Sequence, residues 1–137
     1  MGCDKALLRV SVTHPMLRNA SVLVYSVCMR DWYPEIVEQF STNRVALWAC
    51  MEEWHISQVV AKLYNIVTRG GPRELVVLTM DGSPHCLQLH FAAEMLRDRI
   101  PVRHYVVEKG AVVEVSPEAV KAARHLHRVQ HLLQHGK

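Results

Sequence analysis

A chain of 137 residues that is 50% hydrophobic and 21% charged is long enough to bury one apolar core without disulfides, and this composition excludes a disordered or fibrous protein. Sixteen basic against thirteen acidic residues leave a net charge of +3 with no long run of like charge, so no dedicated nucleic-acid surface is declared. The opening "MGCDKALLRV" lacks a basic segment followed by an apolar one, and no stretch is long and apolar enough to span a bilayer; a cytoplasmic, prokaryotic protein with no membrane segment is expected.

In chain order, "KALLRVSV" and "SVLVYSV" are β-branched and aliphatic runs that predict two strands, separated by the connection "THPMLRNA" with its Pro15 and Asn19. Cys28 follows the second strand, and "MRDWY" reads as a loop. Pro34 suits a first helical position, so "PEIVEQFS" predicts a short helix with Ile36, Val37 and Phe40 on one side, and "RVALWAC" a third strand.

From Glu52 to Thr68, the residues Ile56, Val59, Val60, Leu63, Ile66 and Val67 share one helical face, and two glycines stand just beyond. Glu52 and Glu53 then fall in the first turn, where the helix dipole favours them. "ELVVLTM" predicts a fourth strand, and Ser83-Pro84 opens a helix that is apolar on most sides through Leu96.

"VRHYVVE" and "AVVEV" alternate around Lys109-Gly110 and predict an antiparallel hairpin. Ser116-Pro117-Glu118 opens one last helix, with Ala119, Ala122, Leu126, Val129 and Leu133 facing inward and His127, His131 and His135 on a separate solvated line. Strands alternating with helices demand right-handed crossovers. The fold class is α/β: one domain over residues 1–137, a three-layer sandwich with a mostly parallel, Rossmann- or flavodoxin-like sheet and an antiparallel edge hairpin.

In such sheets the functional crevice lies beyond the carboxyl ends of the parallel strands, where loops feed helix N-termini. Cys28, Cys50 and Cys86 all fall at such ends, with Asp81, His85 and His55 at the same level. A helix N-terminus favours thiolate over thiol. Cys86 and His90 are four residues apart, which puts two potential metal ligands on one helix face. Each cysteine also suits a tight strand–helix junction as a small apolar side chain. His14 and His104 read as loop and sheet residues. Trp48 reads as core, whereas Trp32 and Trp54 are candidates for a crevice wall or a partner surface.

Nucleotide-binding glycine motifs, a nucleophile elbow and H-E-x-x-H are all missing, so the common dinucleotide, NTP, hydrolase and zinc-protease templates lack their signatures. The segments "LLRVSVTHP", "VALWACMEEWHISQVVAKL", "VVLTMDGSPHCLQLHFA", "VRHYVVEKG" and "VSPEAVKAARHL" together resemble short archaeal proteins labelled ferredoxin-like iron–sulfur proteins. The resemblance spans nearly the whole chain and implies a cluster and electron transfer. More faintly, the cysteines after strands are similar in arrangement to the iron–sulfur delta subunit of deazaflavin-linked hydrogenases. The C-x2-C-x2-C run of bacterial ferredoxins is missing.

Three expectations follow. In the first, Cys28, Cys50 and Cys86, with Cys3 or a histidine such as His90 as fourth ligand, hold an iron–sulfur cluster or zinc and exchange electrons with a redox partner protein. In the second, Cys86 is the nucleophile of a thiol-dependent or anion-binding enzyme, His85 or His55 is its base and Asp81 stands beside them. The third is a non-catalytic module, a homodimer through the edge hairpin or the last helix, with its cysteines merely packed.

Overall fold

The computed structural model describes residues 4–136, so Cys3 lies outside the described residues. The elements run β1 (Asp4–Ala6), β2 (Ser21–Ser26), α1 (Met29–Trp32), α2 (Pro34–Ser41), β3 (Val45–Ala49), α3 (Ile56–Asn65), β4 (Glu74–Met80), α4 (Pro84–Glu94), β5 (Val102–Glu108), β6 (Ala111–Val115), α5 (Pro117–Ala123) and α6 (Leu126–His135). The six strands form one sheet in the order β1-β3-β2-β4-β5-β6. Every pairing is parallel except β5 with β6. No helix among the described residues is long and apolar enough to cross a membrane.

Period-two alternation sends successive side chains of a strand to opposite faces, and both faces are covered. Val22, Val24, Leu75 and Val77 bury themselves against Val59 and Leu63 of α3 and Leu89 of α4. Leu23, Tyr25, Val76 and Leu78 meet Met29 of α1 and Val37 of α2 on the other face. This is why β2 and β4 are continuous apolar runs: each is sandwiched between helices. At the hairpin, Lys109 and Gly110 both take positive φ, 52° and 84°, the combination that matches strand twist in a two-residue turn.

Four expectations need correcting. Of the first run only Lys5 and Ala6 pair, as part of β1 beside β3, and Leu7–Arg9 form a 3-10 turn. Leu7 and Val10 leave the sheet to fill the core beside α3; an aliphatic run reports burial, and a strand is only one way to be buried. "MRDWY" is not a loop, because Met29–Trp32 make a short helix that seats Met29 under the sheet.

The third helix begins at Ile56, not Glu52, and Glu52 and Glu53 stand in the preceding turn. His55 is its cap: its Nδ1 accepts from the Ser57 N–H at 3.2 Å while the Gln58 Oε1 accepts from the His55 N–H at 3.2 Å, a capping box built with an imidazole.

The last helix is two. The chain leaves helical geometry at His125, with φ −119° and ψ 93°, and α6 turns away from the sheet. Val120 is the buried residue of α5. Leu126 and Leu133, expected inward, are 80% and 73% exposed. Helical spacing specifies an apolar stripe without specifying what it meets.

Candidate functional site

Chain direction fixes where the crevice lies. From β2 the chain moves outward to β3, then crosses back over β2 to β4, so the carboxyl ends of β2 and β4 form the switch point where connections diverge. Cys28 stands just past β2, opening α1. Asp81, Gly82 and Ser83 follow β4 and lead into α4, whose first turn carries Cys86. The Ser83 Oγ accepts from the Cys86 N–H at 3.2 Å and anchors that turn.

This geometry brings two of the expected thiols together. Cys86 is 6% exposed, and it lies close enough to the Cys28 thiol to raise it. Burial is the main cause pushing the Cys28 thiol up, and the neighbouring Cys86 adds to it. The Ser26 hydroxyl, 3.8 Å from the Cys28 sulfur, works in the opposite sense. A second negative charge in the pair is therefore disfavoured.

The remaining expected site residues that the structure describes do not gather with the thiol pair as ligands. Cys50 ends β3 in a turn of its own, where its carbonyl accepts from the Trp54 N–H at 2.9 Å. Among the described residues no three His, Cys, Asp or Glu side chains gather in a metal-holding arrangement, so Cys50 and His90 are not assembled with the thiol pair as fellow ligands. His85 is half exposed and lies 3.6 Å from the Glu52 carboxylate. His55 is engaged in capping α3, and Asp81 is exposed in its turn. Trp54 stacks on Trp48 with ring centres 5.4 Å apart, while Trp32 is 68% exposed.

A second constellation escaped the sequence reading. Between α4 and the sheet, the Thr79 Oγ1 lies 2.7 Å from His90 Nε2, His90 Nδ1 lies 2.9 Å from His104 Nδ1, and His104 Nε2 lies 2.6 Å from Glu94 Oε1. Arg97 closes the row, its Nε donating to the other Glu94 oxygen at 2.5 Å. Both imidazoles are almost fully buried. Burial, reinforced by His104, holds His90 down at about 3. Burial also lowers His104 despite the opposing pull of Glu94. For Glu94, burial works upward, but Arg97 and His104 outweigh it and the carboxyl sits below its ordinary range. His90 thus spends both ring nitrogens inside the core.

Two periodicities carried the signal for this row. Cys86, His90 and Glu94 recur at every fourth position of α4, and His104 lies between Val102 and Val106 on the inward parity of β5. Neither pattern says that the two faces meet. The family model of a Rossmann-like domain matches residues 14–137. No curated protein and no solved structure matches the chain.

Proposed function

Because the chain belongs to the Rossmann-like domain family, whose architecture locates its crevice at the carboxyl ends of the parallel strands, we propose that the Cys28–Cys86 pair at that crevice works as a dithiol–disulfide couple. The observation that supports this reading is the adjacency of the two thiols across the β2/β4 switch point. In the forward step, the Cys28 thiolate, the more open of the two, attacks one sulfur of a partner disulfide and releases a thiolate. Cys86 then displaces the second partner sulfur and closes the Cys28–Cys86 bond. Two thiols are oxidised, the partner disulfide is reduced to two thiols, and the protons move from one pair to the other.

Equilibration with oxidised and reduced glutathione tests the proposal. The expected product is one reversible internal disulfide, mapped by peptide mass to Cys28 and Cys86, and lost in either Cys28→Ser or Cys86→Ser. A fully oxidised sample in which both residues remain alkylatable rules the couple out. Paired thiols are also soft-metal donors, and this favours a second reading in which an iron–sulfur cluster or zinc ion draws its further thiolates from a second copy of the chain. Iron or zinc co-purifying under anaerobic conditions in a dimer, and lost with Cys86→Ser, selects that reading.

The elevated Cys28 thiol sets a kinetic signature. Alkylation of Cys28 by iodoacetamide is expected to be slower at pH 7 than that of an unstructured cysteine, then to rise about tenfold per pH unit through the ordinary thiol range. A rate that levels off below that range contradicts the burial argument.

A further inference from the structure

The row from Thr79 to Glu94 has a forced proton order. Glu94, held ionised between Arg97 and His104, accepts only, so His104 Nε2 carries a proton and donates it. A neutral imidazole has one N–H, which leaves His104 Nδ1 bare to accept from His90 Nδ1–H. His90 Nε2 is then bare as well, and it accepts from the Thr79 hydroxyl. Each donor in the chain points toward the carboxylate, and among the described residues no buried side-chain polar atom is left without a partner.

Two imidazoles inside an apolar core cost stability relative to aliphatic side chains of similar size. The two ends of the row also open differently. Thr79 and His90 line a pocket of about 410 Å³ shared with Asp81, Ser83, Leu87 and Val106. Glu94 lines another, between α4 and α5, with Lys121, Arg124 and Arg128. A hydroxyl bonded to a bare imidazole nitrogen, with a second imidazole and its carboxylate behind the first and a pocket in front, extends by one imidazole the arrangement that activates a nucleophile.

We propose that Thr79, His90, His104 and Glu94 form a charge relay that makes the Thr79 hydroxyl a nucleophile toward a small acyl ester seated in this pocket. As Oγ1 bonds to the carbonyl carbon and the carbonyl electron pair moves onto oxygen, the hydroxyl proton passes to His90 Nε2 in the same event that sends the His90 Nδ1 proton on, so His90 stays neutral throughout. The Nδ1 proton of His90 moves to His104 Nδ1, so the positive charge comes to rest against Glu94. Collapse of the adduct breaks the bond to the leaving alkoxide, which takes the proton from His90 Nε2 as the relay returns. Water repeats the sequence and frees Thr79. The opening turn of α4 borders the same pocket through Ser83 and Pro84, and its positive dipole end favours the developing oxyanion. Thr79 shows only 1% of its surface, so the electrophile it meets is small.

Fluorophosphonate labelling of the full chain tests the relay, because this probe captures activated hydroxyls and leaves thiols unmodified; the outcome stands whether or not Cys28 and Cys86 form a disulfide. A single adduct mapped to Thr79 by tandem mass spectrometry is expected. Thr79→Ser should keep labelling, Thr79→Val should abolish it, and Glu94→Gln should slow it about 100-fold or more with the fold retained by circular dichroism. If Thr79→Val does not fold, the wild-type adduct map decides alone. No adduct on wild-type Thr79, or equal labelling of wild type and Glu94→Gln, overturns the proposal.

Discussion

Taking the protein from pH 7 to pH 5 should lower its unfolding free energy by about 2 kcal/mol through His90 alone. Its folded-state pKa is held at about 3 against an ordinary 6.5, so the folded protein refuses a proton that the unfolded chain accepts. This contribution is fully present above pH 6.5 and is lost as pH falls from there toward 3, at about 1.4 kcal/mol per pH unit. His104, lowered for the same reason of burial, acts in the same direction. Glu94, whose carboxyl is also lowered, joins only at more acid pH, where protonation removes its pairing with Arg97 and His104. Urea denaturation at half-unit intervals between pH 7.5 and 4.5 measures the slope. His90→Gln retains a donor and an acceptor but does not titrate, so its slope should shrink to the share left by His104. A wild-type stability that stays level from pH 7 to 5 contradicts the buried, neutral pair.

Glu94→Ala should destabilise the fold by about 3 kcal/mol, and Glu94→Gln by about half as much. The carboxylate bridges Arg97 at 2.5 Å and the His104 Nε2 at 2.6 Å. Removing it strands a fully buried N–H on His104 and an Arg97 whose remaining bond is to the Val102 carbonyl at 2.6 Å. The loss stays near the lower end for breaking an ion-paired site because the Glu94 side chain is 22% exposed and water screens part of it. The Gln oxygen still accepts from His104, which is why the amide costs less. Loss of the carboxylate also removes the neighbour that holds the His104 pKa up, so His104 should resist protonation further. A double-mutant cycle with Arg97→Met separates the Arg97 share from the His104 share. Equal stabilities for wild type and Glu94→Ala would mean that the row carries no net coupling.

Local rules made several elements legible in the sequence alone. Strand β4 was readable at both ends because a β-branched run stops at Asp81-Gly82. The start of α4 was readable because Ser83 and Pro84 each suit one position only. The β5–β6 hairpin was readable because Lys109-Gly110 admits the positive φ that a two-residue turn requires. Alternation of strands with helices was enough for the parallel α/β class, since crossover connections leave no other compact arrangement.

Tertiary structure decided which side chains meet. Cys28, Cys50 and Cys86 looked equivalent as residues after strands, yet the strand order β3-β2-β4 sets the end of β2 beside the start of α4. It therefore pairs Cys28 with Cys86 and leaves Cys50 in its own turn. His90 looked available to Cys86 by helical spacing, but β5 lies beneath α4 and presents His104 to it. The apolar stripe of the last helix looked like core until the chain broke at His125 and turned Leu126 and Leu133 to solvent. Periodicity is a property of one segment and is written in its residues; contact is a property of two segments, and it exists only once strand order has placed one beside the other.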